Sequence, residues 1–497
     1  MSELSEAPAV VLGRAAPVVV VGAGLAGLLA ASELNRRGIE VLVFEGGSSI
    51  AGMASSFQDE KGFKYDSGAH FLTNRLTAAL GIDASCRNIA YYGESVRLDG
   101  MTYGYPFGLM LHRPRFVASA LASRFRPGNG KAPRSAAEWF RATYGKRFAE
   151  EVALPLCKAW SGTAAAELSP DVGDKLNSIW EILYFSLVKR VTKRAVAIGY
   201  NSTQRLNSHV RLVYPQGGLS MVCETLAKGL RPYIQTDARV EEIHVAHGRV
   251  ESVQVNGRTI PASAVISTAP VHILPRLVTG TDRLDPYRRF RYRGIVSVNL
   301  CLEGRDLLSD TVVWYPKGDV PFFRLTEAPI SMPWLAPAGK TVITADIGAQ
   351  PGDAMWVKDN ATLARECLAG LSGTIADAEQ RFQGAHTVRL PAAYPVFHLD
   401  YEEERLAWKS GTGIEGLYSI GRNGEFAHWL MEGVYWRTLA MVRRLIAARQ
   451  ASAPMSALRR SAEFTGADAL ATLPELRLEQ PGPSISPSAE LLAIPPR

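Results

Sequence analysis

Three glycines and one acid are the residues of this chain whose spacing most clearly predicts chemistry. Residues 22–27 read Gly-Ala-Gly-Leu-Ala-Gly, which is a G-x-G-x-x-G turn. In such a turn Gly22 permits a tight bend, Gly24 lets the backbone approach a pyrophosphate, and Gly27 brings helix and strand together. Glu45 follows 23 positions after Gly22 and can accept hydrogen bonds from ribose hydroxyls. The spacing therefore predicts a dinucleotide-binding site.

The elements around this turn are those that a dinucleotide-binding βαβ unit requires. Four valines at 18–21 predict a strand buried on both faces, and an Ala/Leu-rich helix follows to about residue 37. Residues 39–44 predict a second buried strand, and a loop of small residues at 46–54 comes next, beside the same pyrophosphate. A chance glycine turn in an ordinary α/β core is the weaker alternative, because strand, turn, helix, strand and acid occur together.

The composition predicts a globular protein of two or three domains that does not bind nucleic acid. Its 497 residues are 47% hydrophobic and 21% charged, and the net charge of +7 is mild and mostly scattered. The five cysteines are never in C-x-x-C spacing, and the nine histidines show no convincing ligand spacing. We therefore expect no disulfide framework, no metal site and a reducing cytoplasm. Residues 1–16 carry no pattern of an export signal.

The order of patterns along the chain predicts a discontinuous dinucleotide-binding domain that alternates with a partly helical substrate-binding domain. The first comprises residues 17–75, 206–275 and 391–450, and the second comprises residues 76–205 and 276–390. Residues 1–16 and the Pro/Ala/Ser-rich tail at 451–497 are expected to be disordered. An amphipathic helix with a basic end is predicted over 176–200. We favour packing on the substrate-binding domain over contact with a membrane surface.

Further elements are predicted from hydrophobic periodicity and turn residues. They are a hairpin at 57–65, a strand pair at 239–244 and 250–255 with turns at 247–248 and 256–257, strands near 296–302, 312–315, 322–325 and 341–347, and helices near 361–371 and at 431–450.

Seven separated blocks of sequence form a wider pattern. They are residues 18–45 with Gly52, 66–71 (DSGAHF), 105–107 (YPF), 139–155 with 167–169, 214–218 (YPQGG), 394–396 (YPV) and 421–433 (GRNGEFAHWLMEG). Over roughly residues 15–450 the chain resembles the flavoenzyme superfamily of monoamine oxidases, protoporphyrinogen oxidases, phytoene desaturases and UDP-galactopyranose mutases. It departs from the family's G-G-R sequence, where Ala51 and Met53 replace a glycine and the arginine on either side of Gly52.

This resemblance implies an α/β fold, with a Rossmann-like FAD-binding domain of the glutathione-reductase/amine-oxidase type and an interleaved substrate-binding domain. It implies FAD and not NAD as the cofactor. A glycine block near the C-terminus agrees with this, because it can reach the flavin ring only if the cofactor is long. In the family the last helix begins at the flavin pyrimidine edge, so the backbone from Met431 to Val434 would face the ring. The Val240 backbone would hold the adenine side, and His70 would lie against the ring.

The cofactor-binding residues that pattern and resemblance together imply are spread over both ends of the chain. They are Gly22, Gly24, Leu25, Ala26, Gly27, Glu45, Gly46, Gly52, Met53, Ala69, His70, Val240, Gly421, Arg422, Met431, Glu432 and Val434.

Reactive side chains are expected where residues 426–432 (FAHWLME) replace the F-x-Y-x-N-M-D of the related branches. His428 and His70 fall within flavin-adjacent blocks and are predicted as catalytic residues that move a proton. Aromatic and basic residues are predicted to line the substrate pocket. For the aromatic residues, ordinary core packing is the alternative, and for Arg324 a buried ion pair. The predicted pocket residues are Tyr103, Tyr105, Phe107, Arg324, His398 and Trp429.

The function that these features predict is an FAD-dependent oxidase or desaturase of biosynthetic type. It would take a hydride from a C–N or C–C unit of a small metabolite and pass electrons to oxygen or another acceptor. One alternative is a redox-neutral mutase in which the reduced flavin attacks the anomeric carbon of a nucleotide sugar. A flavoprotein with a binding or assembly role and no turnover is another.

Overall fold

The computed structural model describes residues 16–68, 71–124, 132–175, 184, 187 and 210–450. Ala69 and His70, both predicted at the cofactor, lie outside the described residues. So do residues 1–15, most of the predicted helix at 176–200, and the tail at 451–497 that was predicted to be disordered.

A parallel sheet of five strands forms the centre of the first domain. Its strands lie in the order Ile234–Gln235, Val41–Phe44, Val18–Val21, Ala264–Ser267 and Leu417–Ser419. Val18 and Val20 pack against a layer that includes helices Leu25–Asn35 and Met431–Gln450, whereas Val19 packs on the opposite side. The predicted strand with two buried faces is thereby confirmed, and β-branched valines suit that position.

A four-stranded sheet covers the opposite face of the parallel sheet. Its strands lie in the order Arg258–Pro261, Arg249–Val255, Val240–Ala246 and Val278–Thr279. The chain turns at His247 and Gly248 and again at Asn256 and Gly257, all four with positive φ. These are the predicted turns, and such residue pairs tolerate the left-handed backbone that tight hairpins require.

A seven-stranded sheet forms the second domain. Its strands lie in the order Phe382–Val396, Arg291–Glu303, Lys340–Gly348, Arg324–Glu327, Val312–Trp314, Glu94–Leu98 and Met101–Gly104. Helix Asn360–Leu371 packs its apolar face against this sheet. The four strands and the helix predicted between 296 and 371 are confirmed within a few residues.

The edge strand Phe382–Val396 was not predicted, and the expected domain boundary at residue 390 falls inside it. Its sequence contains Gly384, Pro391 and Pro395, which interrupt the alternation of polar and apolar residues. Proline is tolerated there because an edge strand leaves one side of its backbone unpaired.

Smaller elements complete the fold. Ser56–Gln58 pairs with Lys64–Asp66 in the predicted hairpin, and Leu72–Thr73, Leu212–Pro215 and Cys86–Asn88 form a three-stranded sheet. The other α-helices among the described residues are Asn74–Ala79, Phe107–His112, Pro114–Arg124, Ala136–Tyr144, Lys146–Phe148, Leu154–Ser161, Ser220–Ala227, Leu274–Leu277, Ala328–Ser331, Ala354–Val357, Ala378–Arg381, Glu402–Trp408 and Gly421–Gly424. Of the helices in the described part of the chain, none has the length and apolar character needed to cross a membrane.

Candidate functional site

The glycine turn lies at the carboxyl end of the central strand Val18–Val21. Gly22 has a φ of +99°, and a Cβ there would lie 2.2 Å from Thr268 Oγ1. A Cβ on Gly27 would lie 1.9 Å from the carbonyl oxygen of Gly22, so the helix can approach the strand only if residue 27 is glycine. A Cβ on Gly24 would meet only the Ala51 carbonyl oxygen, at 3.9 Å. Packing therefore requires two of the three glycines and leaves the surroundings of Gly24 open.

The helix that follows begins at Leu25 with an N-terminus suited to an anion. Its N-cap residue, Gly24, makes no side-chain cap, and the first turn contains no acidic residue. The N–H groups of such a first turn carry a partial positive charge and attract phosphate. Ala26 and Gly27 continue this first turn.

Glu45 joins the glycine turn to the next loop. Its Oε2 accepts a hydrogen bond from the Ala23 N–H at 2.8 Å, and its Oε1 accepts one from the Gly47 N–H at 2.8 Å. The Ala238 N–H donates to the Glu45 carbonyl oxygen, and strand Val240–Ala246 begins two residues later. Gly46 lies in the same loop. The structure thus brings Glu45, Gly46 and Val240 together beside the turn.

The second loop of small residues also meets the glycine turn. The Ala51 N–H donates to the Ala23 carbonyl oxygen at 2.9 Å, and a Cβ on Gly52 would lie 3.8 Å from Gly24 Cα. Ala51 has a φ of +85°, a conformation that costs energy for any residue except glycine. Met53 follows in a short helical turn and is half-buried. The backbone therefore keeps a glycine-like conformation at the position where the chain has alanine.

The sequence block at residues 421–433 also contacts the first helix, beside the glycine turn. Gly421 has a φ of +79°, and a Cβ there would lie 2.8 Å from the Cβ of Ala26 in the first helix. Strand Leu417–Ser419 lies beside Ala264–Ser267 and delivers Gly421 to this contact. Residues near both ends of the sequence thus converge at one edge of the parallel sheet, which is where open α/β sheets bind ligands.

Arg422 extends from this edge towards the seven-stranded sheet. Its Nη1 donates to the Trp429 carbonyl oxygen at 2.9 Å and its Nε to the Ala393 carbonyl oxygen at 3.3 Å. The guanidinium lies over the Tyr394 ring, 5.5 Å from its centroid. Burial lowers the pKa of Arg422. Among the residues that the structure describes, no carboxylate forms an ion pair with this cation.

His428 lies in an aromatic enclosure beside Arg422. Its ring is 4.7 Å from Phe397, 5.6 Å from Trp160 and 6.3 Å from Tyr394, measured between centroids. These rings come from the long edge strand, the segment after it and helix Leu154–Ser161. Tyr394 contacts both His428 and Arg422, so these two residues, predicted as catalytic and as cofactor-binding, lie beside one aromatic ring.

The final helix begins next to this enclosure, at Met431. The buried Glu432 accepts a hydrogen bond from Thr73 Oγ1 at 2.5 Å and forms an ion pair with Arg75 at 2.9 Å. Val434 is buried. The carboxylate of Glu432 is thus used by protein partners, and its backbone is the part left for a cofactor.

Trp429 precedes this helix and packs under Arg437, whose guanidinium lies 4.6 Å from the ring centroid. Of three further aromatic residues predicted for the pocket, Tyr103 and Tyr105 pack in a hydrophobic cluster with Phe116 and Phe148. The ring of Tyr105 is 6.2 Å from that of Phe148, and burial raises the pKa of its phenol. Tyr103 packs under Arg113, and Phe107 is 37% exposed. Core packing, the alternative given for the aromatic residues, describes Tyr103 and Tyr105.

Arg324 and His398, also predicted for the pocket, are engaged by protein groups. Arg324 donates from Nε to Asp346 Oδ2 at 2.8 Å, with Nη2 at 2.7 Å from the same oxygen, so the structure gives the buried ion pair named as the alternative. The Nε2 of His398 lies 3.3 Å from Glu167 Oε2, and its Nδ1 accepts the Asp400 N–H at 3.2 Å. His398 therefore caps a short turn.

Asp66 is a residue of this region whose unusual state the sequence did not reveal. The Tyr214 hydroxyl lies 2.8 Å from both carboxylate oxygens, and the Ser56 hydroxyl donates to Oδ1 at 2.6 Å. Burial raises the pKa of Asp66 to about 6, against these hydrogen bonds. The signal in the sequence that could have pointed to Asp66 was its place in the DSGAHF block.

A cavity lies beside Asp66. Its lining residues include Asp66, Gly68, Phe71, Thr326, Met332 and Thr344.

Comparison with known proteins shows two family matches. Residues 20–79 match the NAD(P)-binding Rossmann-like domain, and residues 105–435 match the flavin-containing amine oxidoreductases. A protein of Mycobacterium tuberculosis, named provisionally as the flavin-containing monoamine oxidase AofH, is 46% identical over 65 residues. This alignment covers 13% of the present chain and 14% of that protein.

Solved structures share the fold over most of the chain. A reduced UDP-galactopyranose mutase has a TM-score of 0.71 at 16% identity, covering 90% of this chain and 98% of that one. A protein of Exiguobacterium named provisionally as a protoporphyrinogen oxidase has a TM-score of 0.68 at 15% identity, with coverage of 87% and 99%. Putrescine oxidase bound to putrescine has a TM-score of 0.60 at 14% identity, also covering 87% and 99%. At these identities the likeness is one of fold.

Proposed function

The chain belongs to the flavin-containing amine oxidoreductase family, and from this premise we propose that it is an FAD-dependent oxidase or desaturase. Its substrate would be a small metabolite that gives up a hydride from a C–N or C–C unit. The observation that carries this proposal is the aromatic enclosure of His428 at the start of helix Met431–Gln450. An enclosure of aromatic rings excludes water. Hydride transfer is favoured in such a water-poor site.

The residues present fit FAD. The uncapped helix N-terminus at Leu25 and the open backbone of Gly24 would hold the pyrophosphate. Glu45 uses one hydrogen bond on each carboxylate oxygen for the protein and keeps acceptor capacity for ribose hydroxyls. When bound, FAD would provide the flavin ring that accepts the hydride from the substrate. FAD is long enough to extend from the glycine turn to the final helix. The turn at Gly421 would place the start of that helix near the flavin ring.

The chain's own side chains would orient the substrate and move a proton. Imidazole titrates near neutral pH, so His428 can take a proton from a substrate amine or hydroxyl as its hydride leaves. The rings of Trp160, Tyr394 and Phe397 would hold an apolar substrate body and exclude water. Arg422 would add a fixed positive charge at one wall.

Arg422 also favours a second candidate, a redox-neutral enzyme that rearranges a nucleotide sugar. Its guanidinium has carbonyl and ring partners but no carboxylate among the described residues. A cation of this kind suits an anionic group of the substrate, such as a diphosphate. The fold shared with UDP-galactopyranose mutase supports this candidate only at the level of architecture.

Anaerobic flavin spectroscopy separates the two candidates. The cofactor is first released by denaturation and identified by mass, with FAD expected. Amines and polyene precursors are then mixed with the oxidised protein, and UDP-sugars with the protein both before and after flavin reduction. Bleaching of the oxidised flavin and later oxygen consumption support the first proposal. Sugar rearrangement that needs reduced flavin and has no net electron transfer would overturn it.

His428→Ala tests the proposed proton transfer once a reducing substrate is found. We expect FAD to remain bound and flavin reduction to slow by about 10²-fold or more, because general acid–base groups contribute 10²–10⁴-fold. His112→Ala, at an exposed position, is the matched control and should reduce at the wild-type rate. Equal rates in both variants would remove His428 from the mechanism.

A further inference from the structure

Three side chains with metal-ligating atoms meet away from the glycine turn and from His428. They are Asp59, Cys301 and His386, and one ligand atom of each lies within 4.8 Å of the other two. The Nε2 of His386 is 3.0 Å from Asp59 Oδ2. These residues come from the loop of the hairpin at 56–66 and from two neighbouring strands of the seven-stranded sheet, so only the folded chain brings them together.

Strand register explains how Cys301 and His386 share a face. Cys301 lies opposite Gly384, and Asn299 lies opposite His386, in an antiparallel pair. Directly opposed residues project to the same side of a sheet, and so do residues two apart. Gly384 has no side chain, and the nearest group to a Cβ there is Lys61 Nζ of the hairpin loop, at 3.9 Å, which donates to the Gln383 carbonyl oxygen.

Neighbouring groups already orient the ligands. Asp59 Oδ1 accepts the Phe63 N–H at 2.9 Å, which leaves Oδ2 directed at His386. The His386 ring stacks on Tyr65, with centroids 5.1 Å apart and planes 15° apart. Such secondary contacts are what hold metal-binding imidazoles and carboxylates in place.

The donor set indicates the kind of ion. Thiolate, imidazole and carboxylate together suit a borderline-soft divalent cation such as Zn²⁺, and two negative ligands balance its charge. Zinc bond lengths of about 2.0–2.3 Å need ligand separations of roughly 3.3–3.6 Å. The pair His386 Nε2 and Asp59 Oδ2, at 3.0 Å, would separate slightly, and no other separation, each within 4.8 Å, would need to shorten by more than about 1 Å. The His386 side chain is 37% exposed and offers a path from solvent, while Cys301 is buried.

We propose that Asp59, Cys301 and His386 form a binding site for Zn²⁺ or a similar divalent cation, with a fourth position open to water. The ion takes the place of the proton shared by His386 and Asp59 and of the thiol proton, and both protons pass to solvent. It links the hairpin, which follows the loop at Gly52, to the edge strand Phe382–Val396 of the seven-stranded sheet and to its neighbour Arg291–Glu303. The sequence predicted no metal site, so this proposal departs from that expectation.

Zinc binding to the flavin-loaded protein tests the site without any activity measurement. The protein is treated with chelator, dialysed against Zn²⁺ and analysed for metal content, and X-ray absorption at the zinc edge identifies the ligands. We expect one zinc per chain with one sulfur ligand. Cys301→Ser and His386→Gln should each weaken binding by about tenfold or more. Cys367→Ser removes another buried thiol and is the matched control.

Flavin absorbance and the thermal transition establish that each variant is folded. Wild-type protein that retains no zinc overturns the proposal, and so does a zinc spectrum without a sulfur ligand. Equal affinity in wild type, Cys301→Ser and His386→Gln overturns it as well, since adventitious surface sites would then account for the metal.

Discussion

Asp66 is a carboxylate whose surroundings oppose its charge. Two hydroxyls, those of Tyr214 and Ser56, donate to it, but no cation pairs with it among the described residues. Burial therefore prevails and raises its pKa to about 6 from 3.8. The folded state then binds more protons than the unfolded state between these two values. The stability that Asp66 contributes is present below about pH 4 and is lost as pH rises through 6.

Asp66→Asn should remove this pH dependence. As pH rises from 4 to 7, the free energy of unfolding of the wild type should fall by roughly 2–3 kcal/mol relative to that of the variant. Denaturant titrations of FAD-saturated protein at several pH values measure the difference. Asp282→Asn, at an exposed position, should follow the wild type. Parallel curves for wild type and Asp66→Asn would contradict the raised pKa.

Ala51 offers a second test at a single residue. Its left-handed backbone costs about 1–2 kcal/mol in a residue with a Cβ, and glycine avoids this at an entropic cost of about 0.5–1 kcal/mol. Ala51→Gly should therefore raise the free energy of unfolding slightly, by up to about 1 kcal/mol. Ala30→Gly, inside the first helix, should lower it by about 1 kcal/mol or more, because it also removes a fully buried methyl group. Chemical denaturation compares the two, and an equal loss in both would contradict the assigned backbone conformation.

The first helix depends on how closely it can approach the central strand. Gly27 sets that distance, because any side chain would meet the Gly22 carbonyl oxygen. The helix N-terminus is thereby held at the edge of the sheet where Gly52 and Gly421 also arrive. Helix Leu25–Asn35 therefore must pack closely on the central strand, and its N-terminus provides the proposed phosphate contact.

Gly27→Ala should push the helix outward, with a loss of about 1–3 kcal/mol in stability and weaker FAD binding. Gly229→Ala is the control, since a Cβ there would meet nothing within 4 Å. Thermal melts and FAD titration by fluorescence measure both effects. If the two variants retained FAD equally well, the close approach would not be needed for the site.

The whole molecule assembles its proposed cofactor site from residues near both ends of the described chain. Residues 22–27, 45–52 and 421–434 converge at one sheet edge, while both intervening excursions contribute to the seven-stranded sheet. A ligand that spans this edge binds only the folded state and stabilises the molecule by mass action.

Gly421→Ala should therefore reduce the thermal stabilisation that FAD provides, although it alters the chain far from the first glycine turn. Its Cβ would lie 2.8 Å from Ala26 Cβ, in addition to the cost of its φ of +79°. Gly416→Ala carries nearly the same backbone cost, at a φ of +77°, without that contact. In melts with and without added FAD, only Gly421→Ala should lose part of the shift. Equal shifts would contradict the proposed convergence.

Much of the fold could be predicted because its signals are local. The valine run, the glycine spacing and the hairpin turns each occupy a few consecutive residues, and their local preferences agree with the final structure. Strand Phe382–Val396 could not be predicted, because Gly384 and two prolines interrupt its pattern and its pairing partner lies about 90 residues earlier. The contacts of Tyr394 with His428 and Arg422 were hidden for the same reason.

The sequence by itself determined the βαβ unit, the conformation of its turn and the family resemblance, since these rest on residue types at fixed short spacings. Only the tertiary structure decided that Arg324 pairs with Asp346, that His428 lies among Trp160, Tyr394 and Phe397, and that Asp59, Cys301 and His386 meet. Burial, ion pairing and metal geometry depend on distances between residues far apart in the chain. Those distances are set by sheet register and packing, which no short stretch of sequence contains.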